Sequence, residues 1–181
     1  MKNIVRLAGT LLGISVAVAL LLGVVNSITE PIILRMQAEK TAAAMAQVLK
    51  ADEYERIDGT YEGVAALYRA VLGGKQIGYV AEVYGGGFNG KVNMVVGIDM
   101  DGKVTGVSVT QHTETKGVGT KVTDDPNVLG RFIGMSGEIT VNTGDNRFDG
   151  VTGATVSSRA VTAGVNAALA AVAAAQKGGN A

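Results

Sequence analysis

Gln76-Ile77-Gly78-Tyr79-Val80-Ala81-Glu82-Val83 and Val92-Asn93-Met94-Val95-Val96-Gly97-Ile98 are the stretches on which the fold turns. In the first, Ile77, Tyr79, Ala81 and Val83 fall two apart, and in the second Val92, Met94, Val96 and Ile98 do the same. A period of two lines up one apolar face on each of two strands. Asp101-Gly102 follows as a hairpin turn, and Val104, Val107 and Val109 continue into a third strand. The spacing therefore predicts an antiparallel sheet of at least three strands. Downstream, residues 126–135 read as a short helix and 138–141 as a short strand. Upstream, residues 52–68 mix acids with three tyrosines and match no single period.

The interval between the first two strands, Gly85-Gly86-Gly87-Phe88-Asn89-Gly90-Lys91, mimics the nucleotide loop G-x-x-x-x-G-K. Val92 stands where that loop needs Ser or Thr for magnesium, and the following residues alternate like a strand where a helix is required. It reads as a glycine-rich hairpin connection, and nucleotide hydrolysis is not expected.

Toward the N-terminus, residues 7–29 carry no charge and 7–25 are almost wholly apolar. About 20 residues span a bilayer. Lys2 and Arg6 precede the run with no acid, which places the N-terminus in the cytoplasm and the rest of the chain outside. A cleaved signal peptide is the competing reading, but its apolar core is normally about 7–15 residues, and Val25-Asn26-Ser27 is a poor cleavage site. Gly9, Gly13 and Ala17 form a small-residue stripe against which another membrane helix can pack. Thr29-Glu30-Pro31 then reads as the start of a second, juxtamembrane helix over residues 32–49.

The 181 residues hold 16 Lys+Arg and 16 Asp+Glu. Zero net charge speaks against nucleic acid, which needs a basic face. Absence of cysteine removes disulfides, thiolate metal sites and iron–sulfur ligation. A single histidine leaves no His-rich metal site, so redox chemistry here calls for an organic cofactor.

Toward the C-terminus, Asp149-Gly150-Val151-Thr152-Gly153-Ala154-Thr155-Val156-Ser157-Ser158 follows turn-rich sequence and opens an Ala/Val run over 159–175. There Val161, Val165, Leu169 and Val172 share a helical face. Hydroxyls and small residues at a helix start either cap it or hold an anion against free amides and the positive dipole end. On chemistry alone both readings stand.

The pattern Asp-x-x-Thr-Gly-Ala-Thr resembles the flavinylation motif of the FMN-binding domain family, whose last Thr carries FMN through a phosphoester. By that resemblance Thr155 is the attachment residue, with Asp149, Thr152, Gly153 and Ala154 in the other motif positions. Val156 and Ser157 join them as cofactor-binding residues. A separate Mg-dependent flavin transferase would install the FMN, so Thr155 is an anchor and not a catalytic nucleophile. No catalytic residue or metal is implied.

A second stretch, Gln111-His112-Thr113-Glu114-Thr115-Lys116-Gly117-Val118-Gly119, is similar to the Glu-Thr-Pro-Gly-Leu-Gly segment upstream of that motif in the same family. Lys116 replaces the usual Pro, losing a stiff turn and gaining a cation. Glu114, Thr115, Gly117 and His112 are the expected neighbours of the isoalloxazine, and Lys116 and Lys121 are candidate cations near the ring.

Anchor, sheet and both motifs, in this order, resemble the G subunits of the Rnf electron-transport complex. The C subunits of the sodium-pumping NADH:quinone oxidoreductase are the alternative. A membrane-tethered non-redox binding or assembly module and a secreted flavoprotein are further ones. The resemblance implies an α+β fold: a transmembrane helix followed by an FMN-binding domain with an antiparallel sheet flanked by helices. Its parts are 1–6 cytoplasmic, 7–29 anchor, 30–75 juxtamembrane helix and connecting segment, 76–177 FMN-binding domain and 178–181 tail. It further implies partners among other Rnf membrane subunits, the flavin transferase and the bilayer. Electron transfer would run on the outer side of the cytoplasmic membrane, in a complex coupling ferredoxin:NAD electron flow to Na⁺ or H⁺ translocation.

Overall fold

In the computed structural model, which describes residues 2–178, the alternating stretches become strands of one antiparallel sheet. Its order is β1 (Glu53–Ile57), β2 (Val64–Leu72), β3 (Lys75–Gly86), β4 (Lys91–Asp99) and β5 (Val104–Gln111). β3 and β4 run in unbroken register from Gly78↔Asp99 to Gly86↔Lys91. The Asp101-Gly102 turn joins β4 to β5, with the Asp99 N–H bonded to the Lys103 carbonyl at 2.9 Å. The central strand β4 is buried on both faces: Val92, Met94, Val96 and Ile98 look one way and Val95 the other. That double burial explains its nearly continuous apolar sequence.

The long helix α4 (Thr155–Gly178) covers the first face. Val161, Val165, Leu169 and Val172 are all buried there, as the spacing predicts. α4 passes so close to β3 that a Cβ on Gly85 would lie 1.9 Å from the Ala160 carbonyl oxygen. Although α4 is long and apolar enough to cross a membrane, 11 of its 24 residues are buried against its own domain, and it is a core helix.

On the opposite face Ala44, Met45 and Val48 pack over Ala70, Val80 and Val95. These three belong to α1 (Lys2–Val48), whose end is tied down by a 2.7 Å bond from the Thr105 hydroxyl to the Val48 carbonyl. Small helices α2 (Thr120–Thr123) and α3 (Pro126–Leu129), with a 3₁₀ turn at Gly130–Phe132, follow β5. A short parallel pair, β6 (Thr140–Val141) with β7 (Arg147–Phe148), precedes α4. Phe148 stacks on Phe132 with ring centroids 4.3 Å apart, and the Asn166 side chain holds both backbone groups of Ile139. These contacts fix where the chain re-enters α4.

The structure differs from the sequence-based expectation in two places. The expected helix start at Thr29-Glu30-Pro31 is absent: α1 runs unbroken from Lys2 to Val48 with Pro31 inside it. A proline removes one backbone bond at a cost of about 3 kcal/mol, and the helix-forming sequence on both sides outweighs it. Second, residues 30–75 are more than a helix and a connection, because 53–57 and 64–72 supply β1 and β2 of the sheet. β1 is an edge strand with mostly exposed side chains, and β2 pairs with β3 through two register shifts. Neither leaves a clean alternation in the sequence.

The chain divides into two units, Met1–Glu39 and Lys40–Ala181. In the first, Leu11, Leu20 and Leu22 are each more than 60% exposed. That unit has the length and bare apolar surface of a membrane anchor. Met1 and the tail beyond Gly178 lie outside the described residues.

Candidate functional site

The two sequence motifs meet. A cleft of about 530 Å³ is lined by Glu114, Thr115, Val118 and Gly119 from the loop after β5, and by Gly153 through Ser157 at the start of α4. Phe88, at the tip of the β3–β4 hairpin, completes it. Its size lies within the roughly 300–1,000 Å³ of small-molecule and cofactor sites.

Glu114 is the hub. It is buried, yet it carries a carboxylate, so its oxygens require partners. One oxygen accepts the Ser157 hydroxyl of α4 in a short hydrogen bond, and the other accepts the Asn89 N–H at 3.1 Å. Burial by itself raises the Glu114 pKa. Hydrogen bonds from Ser157 and the Asn89 and Phe88 backbone, with His112 nearby, outweigh it and hold the carboxyl below its ordinary value. The surrounding backbone leaves no room: a Cβ on Gly87 or Gly119 would lie 2.4 or 2.3 Å from a Glu114 oxygen. Hairpin tip, loop and helix start are thus clamped around one ionised side chain.

The loop keeps its turn without proline. The Val118 and Gly119 N–H groups both bond the Thr115 carbonyl, at 3.2 and 3.0 Å, across Lys116. Gly117 has φ +77°, a backbone state that favours glycine, and its N–H donates to the Thr120 hydroxyl at 2.9 Å.

At the helix start, Ala154 precedes α4 and is buried, while Thr155, the first helical residue, is exposed and lines the cleft. Alanine is among the poorest capping residues. Ser157 is committed to Glu114, and the Ser158 hydroxyl accepts the Val151 N–H at 3.1 Å. Among the described residues the Thr152 and Thr155 hydroxyls make no hydrogen bond. The cap reading therefore does not account for Thr155. Gly153, at φ +81° with open space where a Cβ would sit, lets a ligand approach the backbone beside it.

The remaining sequence-derived residues do not line the cleft. His112 accepts the Glu114 N–H on Nδ1 (3.2 Å) and meets Asp124 through Nε2 (2.7 Å). Asp149 pairs with Arg147 at 3.1 Å, its carbonyl accepting from Arg131. Gly117, Thr152, Lys116 and Lys121 stand outside the lining. Sequence reasoning missed Phe88, which lies in a segment whose glycines spell only a turn. No local signal marks it, since its place in the cleft follows from the β3–β4 register and the close seat of α4.

An exposed hydroxyl at a helix start thus stands in a cleft of cofactor size, and residues 87–170 match the FMN-binding domain family. Over 171 residues the chain is 32% identical to the G subunit of the ion-translocating oxidoreductase complex of Yersinia pestis, covering 82% of this chain and 81% of that one. It is 28% identical over 190 residues to the G subunit of the Na⁺-translocating ferredoxin:NAD⁺ oxidoreductase complex of Acetobacterium woodii, covering 93% and 91%. Among solved structures, the C subunit of the Na⁺-translocating NADH-quinone reductase of Parabacteroides distasonis superposes with TM-score 0.49 at 20% identity, over 57% of this chain and 58% of that one. The chain belongs to the family of G subunits of ion-translocating oxidoreductase (Rnf) complexes.

Proposed function

We propose that this chain carries FMN in phosphoester linkage to Thr155 and transfers electrons between redox centres of its membrane partners. The complex would couple ferredoxin:NAD⁺ electron flow to Na⁺ or H⁺ translocation, as the name of the Acetobacterium relative says of that protein for Na⁺. The observation that carries the reading is the convergence of two separate motif segments on one cleft, with the Thr155 hydroxyl exposed inside it.

The residues fit such a group. First-turn amides of a helix lack intrahelical acceptors and favour an anion. Gly153 and Ala154 let a phosphate approach the chain. Val118 and Val156 offer apolar surface for a planar ring. When bound, FMN supplies the one- and two-electron redox chemistry, while this chain fixes its place and limits water around it. A covalent link suits the outer side of a membrane, where free cofactor is scarce and reversible occupancy falls with free concentration. Lys2 and Arg6 before the apolar helix support that orientation.

Co-expression with a flavin transferase tests the proposal. The intact mass is expected to rise by one FMN less water, with ultraviolet fluorescence surviving denaturing electrophoresis and both signals lost in Thr155→Ala. Unmodified mass under those conditions refutes it.

A further inference from the structure

The hairpin Gly85–Lys91, whose sequence imitates a nucleotide loop, has no task in the proposed function beyond joining two strands. Its tip is nonetheless held by several hydrogen bonds. The Gly87 N–H bonds the Gly90 carbonyl at 2.8 Å, Asn89 N–H reaches Glu114, and the Thr113 hydroxyl bonds the Asn89 carbonyl at 2.6 Å. Gly87 has no room for a Cβ, and Gly90, at φ +136°, would set one 2.8 Å from the Thr113 hydroxyl. Asn89 after Phe88 is held by Thr113 and Glu114 and Gly87 before it by Gly90, while Phe88 itself is 72% exposed. Among the described residues it is also the single aromatic lining the cleft, and its exposed apolar neighbours there are Val118 and Val156. A fixed backbone presenting a bare aromatic ring into a cleft is a preorganised contact for a planar aromatic ligand.

We infer that Phe88, held in place by Glu114 and Thr113 through the hairpin tip, is the aromatic wall against which the isoalloxazine seats. This rests on the assignment of FMN to Thr155 and adds to it a specificity-determining residue from a different part of the chain. Glu114 is then a positioning residue: its carboxylate oxygens accept from Ser157 and Asn89, and it acts through the tip it holds.

The test exploits the quenching of flavin emission by an indole or phenol at contact distance. Full-length wild type, Phe88→Trp and Ile133→Trp are each co-expressed with a flavin transferase and purified in detergent. Ile133 is exposed and outside the cleft. Intact mass reports attachment, and emission per attached flavin reports proximity. Phe88→Trp is expected to lose emission several-fold against wild type, with Ile133→Trp unchanged. Should Phe88→Trp fail to accept flavin, Phe88→Tyr carries the same expectation. Full attachment with wild-type emission in the position-88 variant overturns the inference and leaves Thr155 standing, which is the outcome if Phe88 is kept for a protein partner. A wild type without attached flavin removes the underlying assignment and this inference with it.

Discussion

Replacing Glu114 by alanine takes the acceptor from the hydroxyl of Ser157, a residue 2% exposed. A buried donor left unsatisfied costs about 1–3 kcal/mol. The Asn89 and Phe88 amides sit at an exposed tip and regain water, so they add about 1 kcal/mol or less. The expected loss is about 1–4 kcal/mol, or roughly 3–15 °C in Tm for a chain of this size. Heating in detergent, followed by the sheet band in the infrared amide I region, separates the domain from the micelle-held helix.

Glu114→Gln keeps the shape without the charge and reads the electrostatics. The folded-state pKa of Glu114 lies below its ordinary 4.5. As pH falls, the unfolded chain therefore takes up the proton first, and stability is lost as pH drops through the folded value. The stability from the ionised form is fully present above about pH 4.5–5. Wild type should exceed Glu114→Gln at pH 7, and the gap should shrink below pH 4.5. A gap that stays constant or widens on acidification refutes the view of Glu114 as an ionised clamp.

Two further perturbations probe the frame. Gly85→Ala drives a Cβ to 1.9 Å from the Ala160 carbonyl, where only backbone can give way, so α4 must shift off β3. A loss of about 3 kcal/mol or more in urea unfolding is expected, and wild-type stability would contradict the close helix seat. Tyr68, part-buried and donating to Glu82 at 2.8 Å, has its pKa pushed up to about 12, by burial first and then by Glu82. Its contribution is present below pH 10 and lost as pH rises toward 12. Ultraviolet titration should show a late phenolate phase near pH 12 that vanishes in Tyr68→Phe.

Local periodicity was enough for the parts of this protein that answer to a single element. Val161, Val165, Leu169 and Val172 announce the buried face of α4, because a helix repeats every 3.6 residues wherever it packs. The alternation of Ile77–Val83 and Val92–Ile98 does the same for β3 and β4. The charge-free run from residue 7 marks the anchor by length alone. Polar edge strand β1 and bulged β2 were illegible because a strand solvated along its edge, or shifted in register, has no period to display. Pro31 misled for the opposite reason: it is a local signal overruled by its flanks.

The cleft belongs to the tertiary structure. The motif resemblance pointed to Thr155, but the partnership of Glu114 with Ser157 spans 43 residues and exists only because β5 ends where α4 begins. Phe88 enters the cleft because the β3–β4 register puts the hairpin tip there and Gly85 lets α4 come close. Side-chain chemistry and repeat are written residue by residue along the chain. Which side chains meet is settled by packing between elements, which no single stretch contains.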